Sequence, residues 1–263
     1  MTPTLHLIAV RLHVSDLARS LDFYARRLGF FVARESATEA ELGSSSDAAP
    51  ILTLVGRKSA RPAPREAAGL FHAALLFPNR GGLGTWLQFT AEKGVDFEGF
   101  SDHAVSEAIY LSDPDGNGLE FYTDRPRESW PFANGELAMV TRPLAVRSLL
   151  AEATTAGGTP LAGSRWGHLH LRVTDLDRSE AFYREKLGLD VMQRSFPGAR
   201  FLAADGYHHH LGLNTWGSPR LPQPAQGLGL AEATFARMGV ETEASLVDPD
   251  GIHVRVQPAL VAA

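Results

Sequence analysis

The stretch Leu12–Gly29 reads LHVSDLARSLDFYARRLG, and a close copy, LRVTDLDRSEAFYREKLG, occupies Leu171–Gly188. Ten positions are identical at a constant offset, and they include the aspartate, the arginine-serine pair and the phenylalanine-tyrosine pair of each copy. Such agreement is too regular for chance. The repeat divides the chain into two related halves, so ligand-binding side chains can be sought at equivalent positions in each half.

The residues around the first copy predict a strand, a helix and further strands. Leu5–Val14 alternates apolar and polar positions, which is typical of a strand. Asp16 then offers an N-cap, apolar residues recur at helical spacing, and Gly29 ends the helix. Residues 31–43 and 50–56 favour further strands.

The same order recurs along the chain. A second unit is predicted from a strand over Gly69–Phe77, a helix over Leu83–Lys93 and a last strand over Leu119–Tyr122. A third unit begins at Trp166 and contains a helix over Leu176–Leu187. The fourth unit has room only for a shortened helix over Ala231–Met238 and a final strand over Ile252–Val256. Its turn Asp248–Gly251 repeats Asp113–Gly116 of the second unit.

These units predict an α+β fold of four tandem βαβββ modules, the last one degenerate, with helices outside the mixed β-sheets. We expect an N-terminal domain over residues 1–124 and a C-terminal domain over 166–263 with a truncated second module. Residues 125–165 form a linker, in which Leu144–Ala156 favours a helix that ends at Gly157-Gly158.

Composition restricts the classes of function. With 263 residues, of which 44% are hydrophobic, the chain can bury a sizeable core. A net charge of -5 gives no reason to expect nucleic acid or an anionic membrane as a partner. There are no cysteines, which excludes disulfides and thiolate chemistry, and no apolar run long enough for a membrane span. A cytoplasmic location is expected, and ten histidines are the first chemical hint.

The repeated Val-Ser/Thr-Asp-Leu-x-Arg-Ser-x-x-Phe-Tyr stretch, with its strand-helix-strands module, resembles the vicinal oxygen chelate superfamily. This superfamily contains glyoxalases, fosfomycin and bleomycin resistance proteins, and extradiol dioxygenases. The segments from Ser101 through Trp130 and from Gly206 through Trp216 resemble bacterial catechol-2,3-dioxygenases. The resemblance implies that the modules form cupped mixed β-sheets and that metal ligands lie on the first and last strands of each module.

Candidate ligands at those positions come from the second and third modules. The second offers His72 and Glu120, and the third offers His168. Aligning Asp205-Gly206 with Asp115-Gly116 places His210 opposite Glu120 as a fourth candidate. The first module has Ala9 where the third has His168, and the fourth has Arg255 at the glutamate position.

Two pairings of the modules remain open. If modules pair within each half, the ligands divide between two incomplete sites. If the second module pairs with the third, His72, Glu120 and His168 share one cup, with His210 close by; we predict this arrangement. Two imidazoles and one carboxylate suit a divalent metal, Fe(II) first and Mn(II), Zn(II) or Ni(II) as alternatives.

The resemblance to extradiol dioxygenases also implies catalytic roles for His103 and Tyr110. In that family a histidine, a tyrosine ten residues before the glutamate ligand, and a Pro-x-Gly turn precede the glutamate; here the histidine is displaced by about two residues. Histidine titrates near neutrality, and a tyrosine hydroxyl can hydrogen-bond a reacting oxygen. By strand alternation His208 faces the same side as His210, which makes it a third catalytic candidate, whereas His209 faces away.

The leading functional hypothesis is an extradiol-type dioxygenase, with a small catecholic aromatic substrate and dioxygen. A glyoxalase-like lyase or isomerase is an alternative, and a non-catalytic protein that binds an aromatic compound is another. The shortened fourth module makes a homodimer plausible, because a second chain could complete its sheet.

Overall fold

The computed structural model describes residues 4–154 and 159–259. The helices are α1 (Leu17–Leu21), which a π-helical segment (Asp22–Arg27) continues, α2 (Arg80–Glu92), α3 (Val146–Ala151) and α4 (Leu176–Leu187), with a 3-10 turn over Arg127–Ser129. None of the helices within these ranges has the length and apolar character that a membrane span requires. The strands of the first half are β1 (Leu5–Val14), β2 (Phe31–Glu35), β3 (Glu39–Gly43), β4 (Leu52–Gly56), β5 (Gly69–Phe77), β6 (Gly99–Asp102), β7 (Ser106–Ser112) and β8 (Gly118–Asp124). The remaining strands are β9 (Phe132–Ala133), β10 (Glu136–Leu137), β11 (Arg142–Pro143), β12 (Arg165–Arg172), β13 (Asp190–Gln193), β14 (Ala199–Ala203), β15 (Leu211–Asn214), β16 (Gly229–Arg237), β17 (Ala244–Val247) and β18 (His253–Pro258).

Two large mixed sheets each take strands from both halves of the chain. The nine-stranded sheet runs β11-β6-β7-β8-β5-β12-β15-β14-β13, and the seven-stranded sheet runs β17-β18-β16-β1-β4-β3-β2. The halves meet where β5 pairs antiparallel with β12 and where β1 pairs antiparallel with β16. The α+β prediction is confirmed, and the strands expected for the second and third modules share one sheet. The number of modules and the domain boundaries stay predictions.

The helix predicted over Ala231–Met238 is wrong. Those residues belong almost entirely to β16, an interior strand that pairs with β1 on one side and with β18 on the other. Hydrogen bonds from two neighbouring strands outweigh the helical preference of an alanine-containing segment. The linker helix α3 is shorter than predicted, and its expected end at Gly157-Gly158 lies outside the described residues.

The repeated stretch joins the first helix of each half to a turn of the same half. Tyr24 donates a hydrogen bond from its hydroxyl to Asp113 over 3.0 Å, and Tyr183 donates to Asp248 over 2.9 Å. All four side chains are buried. The repeat therefore closes two equivalent buried contacts, one before β8 and one before β18.

The second aspartate of each turn completes the connection. Asp115 accepts hydrogen bonds from the backbone and the hydroxyl of Ser15, and from Arg19. Asp250 accepts the same set from Thr174 and Arg178. The arginine of each copy therefore has the same structural role, which is to bind the second aspartate of the turn, and this explains why it recurs beside an apolar pattern.

A β-bulge on β5 determines which side chains of this strand enter the concave face of the nine-stranded sheet. His72 pairs with His170, and the next pair is Leu70 with Leu171, so Phe71 is the extra residue. The ring of Phe71 contacts His72 and His170 instead of the core on the opposite face. The bulge thus places two consecutive residues, Phe71 and His72, on the same face.

Replacing Tyr24 or Tyr183 with phenylalanine removes one hydrogen bond to a buried carboxylate. We expect each single variant to lose about 1–3 kcal/mol of unfolding free energy. The two sites share no partner, so the double variant should lose the sum of the two values. Urea unfolding monitored by circular dichroism measures this, and unchanged stability in both single variants would contradict the role assigned to the repeat.

Candidate metal centre

Three buried side chains converge at the junction of β5 and β12. His72 comes from β5, Glu120 from β8 and His168 from β12, and one potential ligand atom of each lies within 4.8 Å of the others. The Oε2 atom of Glu120 is 2.9 Å from His72 Nε2 and 3.2 Å from His168 Nε2. The structure thus brings together the two imidazoles and the carboxylate that the cross-half pairing predicted.

The register of the sheet explains this convergence. Glu120 lies beside Ala74 of β5 in a parallel pair, and Ala74 lies opposite His168 of β12 in the antiparallel pair. His72, two residues before Ala74, faces the same side because side chains alternate along a strand. Three adjacent strands therefore aim one side chain each at a common point.

Burial lowers the pKa of His168, and the two neighbouring imidazoles lower the pKa of Glu120. Burial lowers the pKa of His168 to about 4, although the adjacent Glu120 acts in the opposite direction. Burial also opposes ionisation of Glu120, but His168 and His72 outweigh it and hold the pKa of Glu120 well below its ordinary value. At neutral pH the cluster therefore offers neutral imidazole and anionic carboxylate, which are the forms that bind a metal.

The donor atoms fit a divalent ion. His72 Nε2 is buried and has no hydrogen bond of good geometry despite its closeness to Glu120. An unsatisfied buried nitrogen is costly unless another partner takes it. Two nitrogen ligands and one carboxylate on one face, with open positions beside them, suit Fe(II), Mn(II), Zn(II) or Ni(II).

Tyr110 and His103 form a hydrogen-bonded pair next to the cluster. Tyr110 lies opposite Glu120 on β7, and its hydroxyl is 2.7 Å from His103 Nε2. His103 Nδ1 lies 2.7 Å from the carbonyl oxygen of Val140 and must donate to it. His103 Nε2 is then the acceptor for the Tyr110 hydroxyl, so the structure assigns both donor and acceptor. Burial, with Glu120 nearby, raises the pKa of Tyr110 well above its ordinary value, which keeps the phenol protonated.

A cavity of about 280 Å³ opens onto this cluster. Its size is near the lower end for small-molecule sites. The lining is mostly apolar and aromatic on one side, with hydroxyl and imidazole groups on the other: Phe71, His72, Ser101, His103, Ser106, Tyr110, Glu120, Met139, Thr141, His170, Phe196, Phe201, His209 and Trp216. Among the described residues no lysine or arginine lines it, so the cavity suits an uncharged aromatic ring.

The orientation predicted for His208 and His209 is reversed. His209 lines the cavity and packs its ring against His168 at a centroid distance of 4.0 Å. His208 lies behind it, between the Nδ1 atom of His209 at 2.7 Å and Asp124 at 2.9 Å. Strand alternation does not apply here, because β15 begins only at Leu211, and residues 207–210 before it are irregular.

His210 lies outside the cluster, so the prediction that it shares the ligand set is wrong. It lines a separate cavity of about 710 Å³, and its Nδ1 atom accepts a hydrogen bond from the backbone of Ala204. The register shows the error of the alignment. Glu120 pairs with Ala74, which lies two residues after His72. The equivalent residue after His168 is His170, and it pairs with Gly212. A Cβ at Gly212 would lie 2.8 Å from the ring of His170.

In the seven-stranded sheet, the position equivalent to Glu120 is occupied by Arg255, which forms ion pairs. Arg255 lies beside Thr234 of β16 and pairs with Glu232 at 2.9 Å and with Glu243 at 2.7 Å. That the fourth module supplies no ligand at this position stays a prediction. Cavity residues that the sequence analysis missed include Phe71, Met139, Phe196 and Phe201, and no spacing rule in the sequence marks them.

The chain matches the Glyoxalase/Bleomycin resistance protein/Dioxygenase superfamily over residues 5–121 and 165–256. It is 42% identical over 231 residues to catechol-2,3-dioxygenase of Bacillus subtilis (strain 168), which covers 86% of this chain and 80% of that protein. It is 38% identical over 72 residues to biphenyl-2,3-diol 1,2-dioxygenase 3 of Rhodococcus globerulus, covering 26% of this chain and 37% of that protein.

Solved structures share the fold at low sequence identity. A putative dioxygenase from Bacillus subtilis superposes with a TM-score of 0.63 at 11% identity, covering 98% of this chain and 86% of that chain. Glyoxalase I from Zea mays superposes with a TM-score of 0.57 at 17% identity, covering 97% and 92%. At these identities the superpositions concern the arrangement of sheets and helices.

Replacing Glu120 with glutamine should abolish tight binding of a divalent ion, since the cluster then has no anionic ligand. Loss of a residue that only supports a ligand weakens metal affinity by about 10- to 100-fold. Loss of the carboxylate ligand itself should therefore weaken metal affinity by more than this factor. Competition with a chromogenic chelator measures the affinity. His253→Gln, on the exposed part of β18, is the matched control. Equal affinity in the Glu120 and His253 variants would exclude the cluster as the metal site.

The metal-free protein should lose stability as the pH falls from about 6.5 to about 4. The folded state binds a proton at His168 only near pH 4, whereas the unfolded chain binds it near the ordinary pKa of 6.5, so acid favours unfolding. The difference corresponds to about 3 kcal/mol. Urea unfolding across this range should show a shallower pH dependence in His168→Gln. An identical slope in the variant would show that His168 does not titrate in this way.

Proposed function

We propose that this chain, which belongs to the Glyoxalase/Bleomycin resistance protein/Dioxygenase superfamily, is an extradiol-type dioxygenase that cleaves a small catecholic substrate with dioxygen. The observation that carries the proposal is one mostly apolar cavity lined both by the Tyr110–His103 pair and by His72 and Glu120 of the cluster that His168 completes. The 42% identity to a catechol-2,3-dioxygenase supports the same reaction class.

His72, Glu120 and His168 would hold the metal, with Fe(II) as the first choice and Mn(II), Zn(II) or Ni(II) as alternatives. The bound ion would supply Lewis-acid and redox chemistry toward the catechol oxygens and dioxygen. The protein's own contribution is to keep the His168 imidazole neutral and the Glu120 carboxylate anionic inside a site that excludes bulk water. Burial of all three side chains provides that environment.

Proton movement is the second task, and Tyr110 and His103 suit it. A catechol must lose a hydroxyl proton to chelate, and ring opening needs a proton returned. The His103 tautomer is fixed by Val140, so Nε2 can take a proton through the Tyr110 hydroxyl and give it back. His170 and His209 also face the cavity, and burial lowers the pKa of each well below its ordinary value, so both remain neutral there.

The apolar side of the cavity orients the ring. Phe71, Phe201 and Trp216 provide aromatic surfaces, and His170 contacts all three rings. A flat aromatic substrate can pack among these faces with its hydroxyl groups toward Glu120. The walls therefore favour an aromatic diol over a small, fully polar substrate such as a triose.

Anaerobic reconstitution with Fe(II), followed by addition of air and a panel of catechols, should give oxygen consumption and yellow ring-cleavage products. A glyoxalase-like lyase would instead be active without oxygen and with the redox-inert Zn(II). Stoichiometric iron with no turnover of any catechol would contradict the proposal, and ligand-dependent thermal stabilisation without turnover would indicate a binding protein.

Tyr110→Phe and His103→Gln should each lower kcat by about 10²- to 10⁴-fold, the usual contribution of a positioned proton-transfer group. Iron content should stay at the wild-type level, because neither residue belongs to the ligand cluster. His253→Gln again serves as the control. Wild-type kcat in both variants would remove the pair from the mechanism while leaving the metal site intact.

A further inference from the structure

Arg172, the last residue of β12, is a half-buried arginine without a partner. Its Nε atom is buried and makes no hydrogen bond, and among the described residues no ion pair includes it. Burial lowers its pKa, with no carboxylate acting in the opposite direction. Other partly buried arginines are paired: Arg80 binds Glu107 and Glu152, and Arg200 lies 3.5 Å from Glu180. A half-buried cation without a counter-charge is costly to retain, so a ligand that supplies the charge is expected.

The position of Arg172 connects it to the metal centre. On β12, His168, His170 and Arg172 are spaced two residues apart and therefore share the concave face of the sheet. Arg172 lines a cavity of about 330 Å³ that shares Phe71, His72 and Tyr110 with the cavity of the metal centre. A ligand whose ring occupies the metal cavity could reach Arg172 with a short side chain.

The acidic groups around Arg172 leave its charge unbalanced. Glu98 lines the same cavity but is exposed to solvent. Asp115 lines a smaller neighbouring cavity together with Arg172, but Ser15 and Arg19 already bind its carboxylate. Gln223 also lines that cavity and has an unpaired carbonyl oxygen, which is a neutral acceptor.

We propose that Arg172 forms an anion subsite next to the metal centre, and that it binds a carboxylate of the ligand. The carboxylate comes either from an acidic side chain on the catecholic substrate or from the acid group that extradiol cleavage creates. The inference rests on the proposed function for the identity of the ring. Arginine suits this task because its planar guanidinium matches a carboxylate with two parallel hydrogen bonds.

The first test compares dihydroxyphenylpropanoate with its methyl ester, which has nearly the same shape without the charge. If Arg172 binds a carboxylate of the substrate, the ratio of kcat/KM for the acid to that for the ester should fall by about 10- to 100-fold in Arg172→Gln, the range for a charge-assisted hydrogen bond. Arg172→Lys should recover part of the ratio. Arg147→Gln, an exposed arginine of α3, should leave the ratio at the wild-type value.

The second test separates the two sources of the carboxylate. If Arg172 binds the product, Arg172→Gln should weaken inhibition by the ring-opened product of unsubstituted catechol while the acid-to-ester ratio stays constant. A lower ratio with unchanged product inhibition would assign Arg172 to an acidic substrate. If neither quantity changes in a folded Arg172→Gln protein, the subsite does not exist.

A binding measurement keeps this inference independent of the proposed reaction. Calorimetry on the Zn(II)-loaded protein gives the affinities for the acid and the ester without turnover. If the wild-type protein cleaves no catechol but binds the acid more tightly than the ester, and Arg172→Gln removes that difference, the dioxygenase proposal fails and the anion subsite stands. Equal affinities of the wild-type protein for both compounds, together with product inhibition that Arg172→Gln leaves unchanged, would overturn the subsite.

Discussion

The antiparallel pairing of β5 with β12 is the constraint on which the candidate site depends. It joins the two halves of the chain in one sheet and sets His168 opposite Ala74, so that His72 and His168 flank the glutamate of β8. A shift of one residue in this register would turn one of the histidines to the opposite face. Core packing on that face, where Leu75 and Leu169 are fully buried, resists such a shift. The hydrophobic pattern therefore also fixes the geometry of the polar cluster.

Connections within each half and between the halves are made by different elements. The repeated stretch ties a helix to a turn inside the same half through Tyr24 and Asp113, and through Tyr183 and Asp248. The two large sheets, in contrast, join strands of different halves. The repeat is therefore strongly marked in the sequence although it contributes no ligand. Its polar residues serve the buried contacts, and the metal centre forms elsewhere, where the halves meet.

Sequence reasoning succeeded where positions on a strand determine direction. His72, Glu120 and His168 were predicted because each lies within a regular strand, and pairing of the second and third modules then brings them together. It failed at His208 and His210, because these residues precede β15 and alternation does not extend beyond a regular strand. The bulge that turns Phe71 into the cavity, and the absence of a partner for Arg172, depend on neighbours that are remote in sequence. Neither has a local signal.

The charge of the cluster gives a further argument for a resident cation. With its pKa at about 4, His168 is neutral at physiological pH, so there it gives Glu120 a hydrogen bond and not a full positive charge. Glu120 is nevertheless almost fully buried, and an anion in that environment is costly without a compensating charge. In the seven-stranded sheet, Arg255 occupies the position equivalent to Glu120, and its positive charge balances the carboxylates of Glu232 and Glu243. A divalent ion at the junction of β5 and β12 would give Glu120 the counter-charge that an arginine provides there, and it would also bind the unsatisfied nitrogen of His72.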